Sequence, residues 1–225
     1  MEQVFGLVNG LLAGDARTRQ RHLHVRTYNV VPLVGKNGII QFVTGGDVLR
    51  STLIHVHEAC VRRCADCSEA ARSYNPTDWS VKQAMAHLRA VKDEPEAGRI
   101  AAYKKLCHHF HPAMRHLFRE TDRTAAGWFE MRLNFSRTLA TTSIVGWMLG
   151  IGDRHVSNLM LDRVTGDLIG IDFGIAFESG RLLAVPERVP FRLTRDFVDA
   201  LGPSGTEGVF RRCAEEVRAP DIDRG

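Results

Sequence analysis

Apolar positions change their period several times along the chain, and each change marks an element. Val4, Val8, Leu11 and Leu12 recur at helical spacing before the stop Gly14-Asp15, which predicts an opening helix. Residues 22–33 are rich in β-branched and aromatic side chains, and Gly35-Lys36-Asn37-Gly38 passes them to Ile39-Ile40-Gln41-Phe42-Val43, the pattern of a hairpin. From Gly46 the spacing turns helical. Residues 47–72, 80–91, 97–110, 112–120 and 125–149 each read as a helix, with breaks at Pro76 and Pro95. The last of these carries Trp128, Met131, Phe135 and Leu139 on one stripe. The longest apolar stretch, 139–151, is interrupted by Thr141, Thr142, Ser143 and Gly146. It falls short of the roughly 20 residues that a membrane span needs, so it reads as a buried helix.

Two short apolar runs follow, Asn158-Leu159-Met160-Leu161 and Leu168-Ile169-Gly170-Ile171, joined by the turn-forming Asp162-Arg163-Val164-Thr165-Gly166-Asp167. They predict a second hairpin. A loop punctuated by Pro and Gly then runs over 174–190, followed by a helix from about Thr194 and a polar tail. A few strands ahead of a helical body, with a hairpin late in the chain, indicate an α+β protein. Composition agrees: 225 residues, 44% hydrophobic and 25% charged, exclude disorder, collagen and coiled coil and leave room for a sizeable core. The five cysteines are an odd number and need not staple anything, Met1 leads into a Glu-containing stretch rather than a secretory start, and a reducing compartment is expected. A net charge of +4 without any long block of like charge gives no argument for nucleic acid, and no segment argues for a membrane.

Candidate chemistry gathers at the two ends of the second hairpin. Gly152-Asp153-Arg154-His155-Val156-Ser157-Asn158 enters it and Ile171-Asp172-Phe173-Gly174 leaves it. Phosphoryl transfer needs a group that orients the acceptor hydroxyl and hard oxygen ligands for a cation, because positioning and charge stabilisation do most of the work. Protein kinases place a catalytic Asp five residues before a metal-binding Asn and follow it with Asp-Phe-Gly. Asp153 and Asn158 have that separation, and Asp172-Phe173-Gly174 follows in order. Asp-Arg-His is nevertheless the reverse of the His-Arg-Asp of common protein kinases, and no Ala-Pro-Glu segment is present. A different branch is indicated.

At these residues the chain resembles the phosphatidylinositol 3-kinase-related protein kinases, whose atypical domains carry Gly-Asp-Arg-His, a following Asn, and Asp-Phe-Gly or Asp-Leu-Gly. The resemblance begins at Glu2-Gln3-Val4-Phe5 and takes in Arg26-Thr27-Tyr28-Asn29-Val30-Val31-Pro32-Leu33, Trp128-Phe129-Glu130, Ala140-Thr141-Thr142-Ser143-Ile144-Val145-Gly146 and Pro190-Phe191-Arg192-Leu193-Thr194-Arg195-Asp196. Ala176-Phe177-Glu178, Val198-Asp199 and Glu207-Gly208-Val209-Phe210-Arg211-Arg212-Cys213 look most like the ataxia-telangiectasia mutated (ATM) checkpoint branch. The target-of-rapamycin branch shares Ser157-Asn158-Leu159-Met160-Leu161-Asp162.

The resemblance implies a PI3K/PI4K-like kinase fold, with a remnant of the smaller lobe over 1–45 and the mostly helical larger lobe over 46–225. It implies a catalytic loop at 152–158, a metal motif at 172–174 and an activation loop at 174–190. In that reading Asp153 orients or deprotonates the substrate hydroxyl, His155 stabilises charge on the transferring phosphoryl group, and Asn158 and Asp172 hold Mg²⁺ or Mn²⁺ against ATP. Strand 39–43 becomes the hinge, with backbone groups near Phe42 and Val43 facing adenine and Ile40 as gatekeeper, while Met160 and Ile171 form the floor. Core packing accounts for those apolar residues equally well without the resemblance. Glu178, Arg181, Glu187 and Arg188 balance in the activation loop, which favours a protein over an anionic lipid headgroup. The branch implies Ser/Thr-Gln targets, DNA-damage sensor proteins as partners, the rest of a large kinase polypeptide, and a nuclear location.

Some expected parts are missing. No Gly-rich phosphate loop precedes the first helix; Lys36 falls in a turn, and Lys82, Lys92, Lys104 and Lys105 fall in helical territory. The chain therefore reads as a kinase domain truncated after its first strands, and two readings stay open: a catalytic fragment, or a non-catalytic pseudokinase-like module. His55, His57, Cys60, Cys64 and Cys67 are zinc-ligand types on neighbouring helical turns, or simply one face of an amphipathic helix. Arg62-Arg63 and Arg211-Arg212 read either as basic patches or as solvated surface.

Overall fold

The structure, a computed structural model, describes residues 1–35, 37–61, 74–177, 179–182 and 189–218. Its centre is helix α7 (Ala125–Met148), started by Thr124, whose hydroxyl accepts the Gly127 N–H at 3.1 Å. The stripe through Met131, Phe135 and Leu139 is buried as its spacing predicts. Phe135 lies between Phe118 of α6 (Met114–Thr121) and Phe197 of α8 (Arg195–Ala200), at ring-centroid distances of 5.4 and 5.9 Å. All three rings are fully buried. Among the described residues no helix is long and apolar enough to cross a membrane.

The remaining helices lean on this centre. The N-terminal helix α1 (Glu2–Gly14) buries Phe5 and Leu12, while Leu7 and Leu11 stay exposed. The inward stripe thus runs through Phe5 rather than Leu11. Asp15 starts α2 (Ala16–Gln20) by accepting the N–H groups of Arg17 and Thr18 at 3.0 and 2.9 Å. Helix α3 (Leu49–Val61) buries Val56, His57 and Cys60. Helix α4 (Val81–Ala90) opens with a capping box in which Ser80 and Gln83 satisfy each other's backbone N–H, and it pairs with α5 (Glu96–His109).

Four expectations change. Residues 22–29 form no strand even though Leu23 and Val25 point into the core. Asn9 of α1 takes the strand partner's place, donating Nδ2 to the Val25 carbonyl at 2.9 Å and accepting the Val25 N–H at 2.8 Å. The first hairpin is accordingly short: β1 (Val30–Pro32) pairs antiparallel with β2 (Gly38–Ile40), Val31 opposite Ile39. The expected strand 39–43 therefore ends at Ile40, leaving Phe42 and Val43 outside it.

Residues 46–48, read as helix, form strand β3 (Gly46–Val48), which joins β4 (Leu159–Asp162) and β5 (Leu168–Gly170) in one antiparallel sheet with Asp47 opposite Leu161. Its partner stands more than 100 positions away, so local periodicity carries no sign of it. The polar tail also contains a helix, α9 (Val209–Arg218), whose Phe210, Cys213 and Val217 recur at helical spacing and pack on α7.

The possible metal cluster does not form among the described residues. His55 is exposed, Cys60 is buried, and His57 stacks on Phe110 at 4.3 Å while its Nε2 reaches both carboxylate oxygens of Asp196 at 3.1 Å. No group of three or more metal-ligating side chains occurs there. Cys64, Cys67, Arg62, Arg63, Lys36, Glu178, Glu187, Arg188 and the side chain of Arg181 lie outside what the structure describes. Arg211 and Arg212 are spent on Glu207, Glu215 and Glu216 along one helix face.

Candidate active site

The hairpin β4–β5 brings both ends of the signature together. Asp162 shapes its turn, accepting the Val164 and Thr165 N–H groups at 2.8 and 3.1 Å, and Arg26 pairs with Asp162 at 3.1 Å from the segment beneath. Just outside the strands the Ile171 N–H donates to the Asn158 carbonyl at 3.0 Å, which sets the loop at 152–158 beside Asp172. Asn158 is buried, and its Nδ2 donates to the Asp153 carbonyl at 3.0 Å and to Asp153 Oδ2 at 3.3 Å. With the amide hydrogens occupied, its Oδ1 is left as the group able to meet a cation.

Asp153 and Asp172 both hold left-handed backbone, at φ 57° and 54°. Such a conformation is uncommon for residues with a side chain, is best tolerated by Asp and Asn, and clusters at functional sites. Arg154 binds the two segments together. Its Nε donates to the Gly152 carbonyl at 2.9 Å, Nη1 to the Ile171 carbonyl at 2.7 Å, and Nη2 to the Asp172 carbonyl. The same guanidinium lies 5.0 Å from the ring centroid of Phe173, which packs edge-on against Phe5 of α1 at 4.9 Å. Gly170 makes this possible, because a Cβ there would sit 2.9 Å from the Phe173 ring.

His155 is half exposed. The Ser157 N–H donates to its Nδ1 at 3.2 Å, which in a neutral ring leaves Nε2 as the donor, 3.8 Å from Asp153 Oδ1.

A cleft of about 920 Å³ opens beside this loop. Ile40, Phe42 and Val43 line one side, Met160 and Ile171 another, and Asp172 the end nearest the loop. Asp153, His155 and Asn158 are not part of its lining; they adjoin it through the Ile171 and Asp172 backbone. The hinge candidates lie on open surface: Ile40 is 66% and Phe42 82% exposed.

Three lining or supporting residues were not singled out by sequence. In the sequence Arg154 stands only as part of a motif, and Glu2 and Tyr28 only within stretches of resemblance. Glu2 accepts the Tyr28 N–H at 3.2 Å, and burial raises its carboxyl above the usual range. Burial likewise raises the Tyr28 phenol, the Glu2 charge adds to this, and a hydrogen bond from the Asp172 backbone opposes it.

The donor set suits a divalent cation that arrives with phosphates. Asn158 and Asp172 supply two hard oxygens on adjoining segments, too few for a cage built by protein alone but the usual complement for a small cation shared with phosphate oxygens. The fold and the site together define a class. The family described as "Phosphatidylinositol 3- and 4-kinase" matches residues 1–220, and the chain belongs to it.

Within that class it is similar to the serine/threonine-protein kinase TEL1 of Cryptococcus neoformans var. neoformans serotype D, 46% identical over 226 residues, which covers 99% of this chain and 7% of the relative. Against tel1 of Schizosaccharomyces pombe it is 41% identical over 215 residues, 96% of this chain and 7% of that protein. A solved structure described as "FAT and kinase domain of CtTel1" superimposes with a TM-score of 0.85 at 42% identity, over 98% of this chain and 15% of the other. The chain thus spans about 7% of the length of these curated relatives. The likeness bears out the kinase-related family, on its ATM-like side, and the α+β kinase fold expected from the motifs. Kinases of this family use ATP with a divalent cation.

Proposed function

We propose that this chain is the nucleotide-binding and phosphoryl-transfer part of a serine/threonine protein kinase of the Tel1 and ATM type. The observation that supports this most is the union of Asp153, Asn158 and Asp172 by backbone and side-chain hydrogen bonds at the mouth of one cleft. In this reading residues 1–45 are the remnant of the smaller lobe and 46–225 the larger one. Ile40, Phe42 and Val43 bound the adenine on one side, and Met160 and Ile171 lie under it. Asn158 and Asp172 hold the cation, Mg²⁺ or Mn²⁺, both of which accept hard oxygen ligands together with phosphates. Bound there, the cation neutralises charge on the transferring phosphoryl group.

Asp153 orients the acceptor hydroxyl and takes its proton, while His155 directs its Nε2–H toward the charge that develops. Arg154 positions both carboxylates by holding the chain on either side of them. Substrates are proteins with Ser/Thr followed by Gln, DNA-damage sensors are partners, and the working location is the nucleus, as the resemblance to the ATM branch implies.

One observation favours a second reading, a module that binds nucleotide without transferring phosphate: among the described residues no lysine lines the cleft. A single experiment separates the two. Mg-ATP is titrated calorimetrically into the chain and its Asp172→Ala variant, and ³²P transfer to a Ser-Gln peptide is then followed. Magnesium-dependent binding that the variant loses, with labelled peptide, supports the kinase. Binding without labelling supports the module, and a folded chain that binds no Mg-ATP overturns both.

A further inference from the structure

A second cavity, of about 730 Å³, lies between α6, α7 and α8 and shares no lining residue with the nucleotide cleft. Its charged lining is Arg115, Arg132, Arg195 and Asp199. Asp199 is already engaged: it accepts the Arg115 N–H at 2.9 Å and pairs with the Arg115 guanidinium at 3.4 Å. Arg195 donates to the Phe110 carbonyl at 2.7 Å and to Cys107 Sγ at 3.2 Å, and no carboxylate among the described residues pairs with it. Arg132 differs from both. Its guanidinium lies 4.6 Å from the Trp128 ring centroid and 5.6 Å from that of Phe129, and no carboxylate among the described residues comes within 4 Å of it.

The backbone is built to keep Arg132 in this place. Gly202 turns at φ +88°, and a Cβ on it would stand 2.3 Å from Arg132 Nη1. A side chain at 202 would therefore drive the guanidinium away. Arg132 is half-buried, stacked so that few rotamers remain, and aimed into a concave site that also offers the apolar walls of Leu193 and Val198. Three guanidinium groups against one carboxylate leave the cavity with excess positive charge in partly desolvated surroundings, where an incoming anion is attracted more strongly than at open surface.

We propose that this cavity is a binding site for an acidic peptide segment, in which an Asp or Glu carboxylate is held by Arg132 and a neighbouring aliphatic side chain lies on Leu193 and Val198. The planar guanidinium suits a carboxylate bidentately, and the Trp128 and Phe129 rings lie beside it. Nucleotide binding has no part in this site.

The test uses the whole chain and a capped peptide, acetyl-Leu-Asp-Leu-Asp-Leu-amide, against its Asn counterpart and against inorganic phosphate. Binding is followed by calorimetry and by the Trp128 indole resonance, assigned with Trp128→Phe. The Asp peptide is expected to shift that resonance and to bind at least tenfold more tightly than the Asn peptide. Arg132→Gln and Gly202→Ala should each weaken it about tenfold, while Lys82→Gln, a charge change on α4, should not. Mg-ATP affinity should stay the same in all of them. Equal binding of the Asp and Asn peptides, or undiminished binding to Arg132→Gln, would overturn the proposal. Phosphate that displaces the peptide at equal concentration would reassign the site to a phosphate ligand. Should Arg132→Gln fail to fold by circular dichroism, the comparison of Asp and Asn peptides on the unaltered chain still decides.

Discussion

The Phe118, Phe135 and Phe197 cluster and the β1–β2 hairpin are both made of apolar residues, yet they do opposite things. The three rings are fully buried, whereas every residue of the two strands is exposed. Burying a large apolar side chain contributes about 1.5–3 kcal/mol, so the cluster carries stability while the hairpin, which removes little of its surface from water, carries almost none. The hairpin's apolar surface is instead one wall of the cleft. Apolar residues thus serve the fold where they are enclosed and the ligand where they are not.

Substitutions can break that contrast, and the largest effect belongs to the centre. Phe135→Ala should cost about 3–5 kcal/mol, read as a shift in the urea midpoint, and should abolish Mg-ATP binding by unfolding the chain. An effect below about 1 kcal/mol would show that α7 is not the organising element.

Next is the buried pair that joins α3 to α8. Asp196→Ala leaves His57 enclosed without its partner and should cost about 3 kcal/mol. Burial alone would raise the Asp196 carboxyl, but hydrogen bonds and charge from His57 and the backbone N–H groups of Ala113 and Met114 outweigh it and hold the group below its usual 3.8. A depressed folded value stabilises above the ordinary value and is lost as pH falls through the folded one. The pair's contribution should therefore be intact above about pH 4 and disappear beneath it, and Asp196→Asn should flatten this acid limb of a stability-against-pH curve.

Asn9→Ala comes third, at about 1–3 kcal/mol, because it strands both backbone groups of Val25. The smallest effect on folding sharpens the comparison from the other side. Ile40→Ala should change stability by less than about 0.5 kcal/mol yet weaken Mg-ATP binding severalfold in calorimetry. A stability loss as large as that of Phe135→Ala would mean that the hairpin belongs to the core after all.

What sequence reveals follows the same division. The stripe of α7, the Ser80 cap and the Asp162 turn are local facts, settled by neighbours within a few positions, and all are legible. Strand β3 is not, since its only reason to be extended is β4, far along the chain. Residues 22–29 look like a strand because they belong to a run rich in β-branched and aromatic side chains, but Asn9 satisfies the Val25 backbone from a helix. Helix α9 had a readable stripe in Phe210, Cys213 and Val217 that the charge of Arg211, Arg212, Glu215 and Glu216 obscured. At the candidate site the residue types and spacing of Asp153, Asn158 and Asp172 were plain from the motif. The left-handed backbone at both aspartates and the reach of Arg154 were not, because neither leaves a trace in spacing.

Arg154 reaches Gly152, Ile171 and Asp172 through their carbonyl oxygens, which every amino acid possesses. These three hydrogen bonds are therefore blind to the side chains at 152, 171 and 172. Asp172→Asn, which tolerates the same left-handed backbone, retunes chemistry without breaking these hydrogen bonds, whereas replacing Arg154 removes them while leaving each reactive group in the sequence. Composition and placement are in this way inherited separately: a lineage could lose catalysis by changing Asp172 and keep a fully formed frame, or keep every reactive residue and lose their alignment through one arginine.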